Sequence, residues 1–235
     1  MPYAERLGKK YRFLIYEYPF HTASADEQID FAAKLLKALS IEKVILLGAS
    51  DGGVYAQIFA KRHPEFVLTM ILTTTLTIDS DYVRDIQKER FSTPILLFLM
   101  KLVPAKTEMK LLLKKSTGFL ECESEEDRNY GRGFYETVAS DLNCKQRFIH
   151  SFKCVYMLKD YPLFKESDFE YLRGKIQVLL PEKDIFKKED QDRLAELFRK
   201  LDAEVLSVPG GHVGFIVQSE RYMDLMEKFL EKNGI

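Results

Sequence analysis

Apolar and polar positions change period several times along this chain. From Tyr11 to Tyr18 (YRFLIYEY) they alternate and aromatics dominate, which predicts a strand closed by Pro19. From Ala25 the period lengthens. Ile29, Phe31, Ala32, Leu35, Leu36 and Leu39 recur at helical spacing. Lys43 to Leu47 is a short apolar, β-branched run that predicts a second strand, followed by a helical pattern to Arg62 and a break at His63-Pro64-Glu65. Phe66 to Leu72 reads as a third strand. Strands alternating with helices predict a parallel sheet joined by right-handed crossovers.

Beyond Thr73 the alternation stops. Up to Tyr171 the pattern is helix-like near 80–90, 93–103, 106–115, 124–141 and 145–159, with no convincing strand. It resumes with a strand at Lys175–Leu180, a helix near 187–200, a last strand at Ala203–Val208 and a helix over about 216–232. Residues 3–9 read as the end of a helix closed by Gly8. The expected fold is α/β: a core of residues 1–75 and 172–235, with a helical cap, 76–171, inserted before the last two strands. No internal repeat or low-complexity linker interrupts it.

Composition narrows the function classes. The 235 residues are 46% hydrophobic, enough for a full core, and carry a net charge of −1. That charge implies no broad drive towards nucleic acid or anionic membrane. Runs of charge read as solvated helix faces. Cys122, Cys144 and Cys154 are an odd set without a CxxC pair, as in a reducing compartment. The first residues hold no apolar signal core. The longest apolar run, Pro94–Met100, ends at Lys101 and Pro104, far short of a membrane span. The expectation is a soluble cytoplasmic protein. No metal-ligand spacing and no phosphate-binding glycine loop occurs, so neither metal nor cofactor is expected.

The chemistry concentrates in Gly48-Ala49-Ser50-Asp51-Gly52, between the second strand and its helix. Strand, Gly-x-Ser-x-Gly, helix is the layout of a nucleophile elbow, in which a strained turn lifts the serine above the sheet. The flanking glycines are expected to avoid clashes with strand and helix. Open α/β sheets place active groups at the carboxyl ends of their strands. Asp184 follows the next-to-last strand in Pro181-Glu182-Lys183-Asp184, and His212 follows the last in Pro209-Gly210-Gly211-His212. Serine needs a base to take its proton, imidazole can accept and return one near neutral pH, and a carboxylate fixes the imidazole tautomer. Rival readings stand beside each. Asp184 could cap the following helix, with Glu182 or Asp160 as the acid. His212 could be a loop histidine bonded to backbone. His63 reads as surface, His150 as packing within the cap, and His21 could line the mouth of the site. The side chain of Asp51 reads as solvent-facing. Residues 94–100, Leu111-Leu112-Leu113 and Phe119 could line an apolar pocket, but packing of cap on core is the favoured reading. Glu121 to Asp127 reads as a solvated loop or helix start.

With this order of serine, acid and histidine, the chain from about Tyr11 to Leu230 resembles the α/β-hydrolase superfamily. Tyr18-Pro19, Gly48-Ala49-Ser50 and Gly210-Gly211 more loosely resemble its maspardin-type branch. The resemblance implies Ser50 as nucleophile, His212 as base, Asp184 as its orienting acid and the Asp51 N–H as an oxyanion donor. It also implies further strands before Tyr11, one of them bearing the loop with a second oxyanion donor. If the chain is a shortened variant, five main parallel strands are expected, with the Tyr11 strand paired directly to the Lys43 strand. The expected activity is hydrolysis of an ester-like carbonyl in a small, partly apolar substrate through an acyl-enzyme. The alternative is a non-enzymatic binding or interaction protein on the same fold, weakened as a catalyst by a missing donor. An exposed sheet edge would suit a homo-oligomer.

Overall fold

A computed structural model describes residues 2–88, 92–104, 107, 114, 117–120, 123–141, 143–158 and 161–235. The chain opens with a short helix α1 (Pro2–Arg6) and a 3₁₀ turn (Leu7–Lys9), then runs without regular structure to α2 (Ala25–Ala38). Strand β1 (Val44–Ala49) leads through the Ser50 turn into α3 (Asp51–Arg62), and β2 (Val67–Thr73) follows. A helical block comes next: α4 (Asp81–Lys88), α5 (Ser92–Leu102), a 3₁₀ turn (Thr117–Leu120), α6 (Glu125–Ser140) and α7 (Cys144–Met157). Strand β3 (Ile176–Lys183), α8 (Lys188–Arg199), β4 (Glu204–Gly211), α9 (Gly214–Val217) and α10 (Ser219–Lys232) complete the described elements.

The four strands form one parallel sheet in the order β1-β2-β3-β4. The central strands read as near-continuous apolar runs because both their faces are covered. Met70, Leu72, Ile176, Val178 and Leu180 face the side packed by α2, α3 and α8, where Ile29, Val54, Ile58, Leu194 and Phe198 are buried. Ile71, Leu179 and Val208 face α1 and α10, which bury Tyr3, Tyr222, Met223, Met226 and Phe229. Helix α2 starts where Ser24 caps the Glu27 N–H at 3.1 Å while the Glu27 carboxylate takes the Ala23 N–H at 2.6 Å, a reciprocal arrangement that satisfies two otherwise orphaned donors.

The Tyr11–Tyr18 segment departs from expectation. It forms no strand, and the ladder of β1 is with β2. The predicted direct pairing with β1, and with it a fifth main strand, does not occur among the described residues. At one end the Tyr11 hydroxyl donates to the Ile235 carbonyl at 3.2 Å, on the α10 side. At the other, Tyr16 lies 6.4 Å from Phe31 of α2, and Tyr18 lies 5.0 Å from Tyr55 of α3, ring centre to ring centre. The segment therefore passes from one face of the sheet to the other while its aromatics hold to helices. Phe13, Leu14 and Ile15 between them are exposed. Alternation marks an extended backbone correctly, but strandhood needs a partner in register.

Candidate active site

Ser50 sits at the turn between β1 and α3 with φ +51° and ψ −130°, a region that non-glycine residues rarely occupy and that costs on the order of 1–3 kcal/mol. The turn is held from the neighbouring strand end. The Ser50 N–H donates to the Thr73 carbonyl at 3.2 Å, and the Thr75 hydroxyl donates to the Ser50 carbonyl at 2.6 Å. Glycine is required at Gly48, where a Cβ would stand 2.6 Å from the Gly53 Cα and 2.8 Å from the Ala56 Cβ. The second required glycine is Gly53, whose Cβ would overlap Thr75, and not Gly52, which has open space around it. The two close approaches let α3 start directly over β1 and bring β2 against the turn.

Asp184 follows the end of β3, and His212 follows the end of β4. The structure brings both to Ser50. Ser50 Oγ lies 3.1 Å from His212 Nε2, and His212 Nδ1 lies 2.7 Å from Asp184 Oδ1. The Asp184 side chain is almost wholly buried, and its Oδ1 also accepts the Phe186 N–H at 3.3 Å. The imidazole is buried between two aromatic rings, Phe186 edge-on at 5.0 Å and Phe119 at 5.9 Å.

Glu123, in the stretch expected to be a solvated loop or helix start, is buried at this site. Its Oε1 accepts the Gly211 N–H at 2.6 Å, one residue before His212, and its Oε2 accepts from Gln218 at 3.1 Å. Burial pushes the Glu123 carboxyl up, against the opposing pull of the Gly211 N–H. Gly210 takes φ +106° beside it, and a Cβ there would meet Glu123 Oε2 at 3.0 Å. Gln218 also donates to Asp127 at 2.8 Å. The carboxylate thus fastens the helical block to the histidine loop. Spacing along the chain gives no signal for this, since 88 residues separate the partners. The other unpredicted feature is a floor of threonines, Thr73, Thr74, Thr75 and Thr77, all buried between β2 and the block.

The Asp51 N–H lies in the first turn of α3, where amides lack an intrahelical acceptor. Its carboxyl is half-buried rather than solvent-facing, and burial pushes it up to about 6 despite the nearby His212 and a hydrogen bond with Ser151 of α7. A cavity of only about 10 Å³ adjoins Ser50 and Asp51, lined by Val54, Leu76, Tyr82, Val83, Leu158 and Phe186.

The rival residues fall elsewhere. His21 and Glu182 are exposed. His63 bonds Asp30 at 3.1 Å and its ring lies tilted against Phe59, 5.3 Å centre to centre, rather than lying free on the surface. His150 lies 3.5 Å from Cys154 Sγ and edge-on to Phe20. Asp160, Glu121, Cys122 and Leu111–Leu113 lie outside the described residues. Packing of residues 94–100 on the core is not observed: Ile95, Leu96, Phe98 and Leu99 are exposed. Of the candidate pocket residues, Phe119 does face the site, against His212. No cluster of three or more metal-ligating side chains occurs among the described residues, and no described helix is long and apolar enough to cross a membrane.

The sequence profile of the alpha/beta hydrolase fold family matches residues 4–218, and the chain belongs to that family. No curated protein matches the chain. Among solved structures it is similar to the enol-lactonase from Burkholderia xenovorans, at 16% identity and TM-score 0.68, over 98% of this chain and 85% of that one. It is also similar to a meta-cleavage product hydrolase from Pseudomonas fluorescens, at 20% identity and TM-score 0.65, over 98% and 83%. A carboxylesterase structure from the thaumarchaeon Nitrososphaera gargenis matches at 18% identity and TM-score 0.64, over 89% and 72%. At these identities the likeness is one of fold.

Proposed function

We propose that the protein is a serine hydrolase that cleaves an ester-like carbonyl in a small, partly apolar substrate. The observation that carries this reading is the hydrogen-bonded line from Ser50 through His212 to Asp184 at the carboxyl end of the sheet. In the first step Ser50 Oγ attacks the carbonyl carbon while His212 Nε2 takes its proton. Asp184 holds the Nδ1 proton and stabilises the imidazolium, and the Asp51 N–H meets the developing oxyanion. Collapse expels the alcohol, which receives the proton from Nε2 and leaves an acyl-Ser50. Water, deprotonated by the same nitrogen, then releases the acid. The apolar lining of the cavity beside Ser50 supports a partly apolar substrate, and residues 76–171 act as the cap that selects it. The comparisons with an enol-lactonase and a carboxylesterase fit a carboxylic-ester class.

The other reading is a non-enzymatic binding or interaction protein that retains the fold without turnover. A fluorophosphonate probe separates the two. Labelling is expected at Ser50 by peptide mass spectrometry, absent in Ser50→Ala and at least about 100-fold slower in His212→Ala. A folded sample that takes no label would replace the hydrolase reading with the binding one.

A further inference from the structure

Strand β4 ends the sheet order, so among the described residues no further strand lies beside it to take its outward amides. Its last residue, Gly211, comes directly before His212. The acceptor that meets the Gly211 N–H at 2.6 Å is the Glu123 carboxylate of the helical block. Hydrogen bonds to an ionised acceptor are shorter and roughly twice as strong as neutral ones. Glu123 is only 5% exposed, and both its partners, the Gly211 N–H and the Gln218 amide at 3.1 Å, donate to it, which suits the ionised form. Positive charge reaches this network through Arg221, whose guanidinium donates to Gln218 Oε1 at 3.1 Å. Packing the block on the core needs no such group, because a buried carboxylate costs more than an apolar side chain of the same size.

The stretch that carries Glu123 is itself fixed. The Glu123 N–H donates to the Leu120 carbonyl at 3.2 Å, and Ser124 caps α6 by accepting the Asp127 N–H at 3.1 Å. Phe119, in the same stretch, lies 5.9 Å from the His212 ring, centre to centre. One short segment of the block therefore reaches the histidine twice, at its ring and at the backbone before it. That backbone needs an external hold. Gly210 and Gly211 impose little conformation of their own, and Gly210 takes φ +106°. The bond from His212 Nδ1 to Asp184 orients the ring, but the reach of Nε2 towards Ser50 also depends on where the backbone places the residue.

We propose that Glu123 is a positioning residue for His212: by holding the Gly211 N–H it fixes the backbone from which the imidazole reaches Ser50, so the base is aligned only while the helical block is docked. The catalytic consequence rests on the hydrolase reading; the alignment itself does not. The competing role is that of a simple fastener, which Asp127 shares. It takes the Gln218 amide at 2.8 Å from the same block, yet makes no hydrogen bond to Gly210, Gly211 or His212.

The test reads His212 with and without turnover. In the parent, the Nδ1 proton shared with Asp184 is expected as a far-downfield proton NMR resonance that Asp184→Asn removes. Glu123→Ala should abolish that resonance and slow fluorophosphonate labelling of Ser50 by about 10- to 100-fold, as for a reacting group displaced by about 1 Å. Glu123→Gln keeps an oxygen for the Gly211 N–H, so it should restore the resonance and recover at least about 5-fold of the lost rate. Asp127→Ala should label within about 3-fold of the parent rate. Should Glu123→Ala not fold by circular dichroism, Gln218→Ala decides, with an expected loss of about 3-fold or more in rate. The proposal is overturned by a parent without the resonance, by a Glu123→Ala protein that keeps resonance and rate, or by an equal fall in Asp127→Ala. A parent that shows the resonance but takes no label defeats the hydrolase reading alone, and the resonance in Glu123→Ala then decides the role of Glu123.

Discussion

Helices α10 and α5 are both rich in large apolar residues and have opposite fates. Helix α10 buries Tyr222, Met223, Met226, Phe229 and Leu230 against the sheet, on one stripe at helical spacing, with charges on the other side. Helix α5 has apolar residues on nearly every side and buries none. A stripe specifies which face meets the sheet, and the sheet rewards it with a complementary surface. An uninterrupted apolar run specifies no face. Apolar content alone therefore does not make core; its angular distribution and the presence of a receiving layer do.

The sharpest way to break this contrast is to truncate one large aromatic in each region. Phe229→Ala is expected to cost about 3–5 kcal/mol of unfolding free energy by urea denaturation, as for a fully enclosed ring. A much smaller loss would mean that α10 is loosely seated. Asp51 belongs to α3 but hydrogen-bonds Ser151 of α7, in the helical block. Its carboxyl is raised by burial from an ordinary 3.8 to about 6 in the folded state. The folded protein therefore holds a proton that the unfolded chain has lost. The associated stability is present below about pH 4 and lost as pH rises through about 6. Asp51→Asn should remove this dependence. Its unfolding free energy should gain on the parent by on the order of 2–3 kcal/mol between pH 4 and pH 7. A gap that stays constant with pH would show that the block does not desolvate Asp51. The smallest expected effect is Phe98→Ala in α5, within about 0.5 kcal/mol of the parent in the same urea measurement. A loss comparable to that of Phe229→Ala would mean that α5 packs as core.

The same contrast explains what the sequence could tell. Strands β1 to β4 and the helices that cover them were legible because a parallel sheet imprints period and burial on its residues. Gly48 and Ser50 were legible because a strained turn between strand and helix tolerates few residue types. Gly52 misled for a related reason: the pattern of letters names it, while the close approach that demands glycine falls on Gly53. Tyr11 to Tyr18 misled because local alternation reports extension, whereas a ladder depends on what stands alongside. Glu123 was illegible because its role lies in one contact across the fold, with an amide that carries no mark in the sequence.

The order of the strands has a consequence for how the protein assembles. Strands β1 and β2 are joined by a short crossover, as are β3 and β4, but β2 and β3 are separated by about a hundred residues. Bringing β2 and β3 together carries a loop-closure entropy about 1.5 kcal/mol larger than either short crossover. The sheet is thus two local units meeting at one long-range seam. Ser50 belongs to the first unit, and Asp184 and His212 both belong to the second. Neither unit holds all three side chains of the hydrogen-bonded line. The Ser50–His212 contact exists only in chains whose seam has closed, so it reports the meeting of the two units.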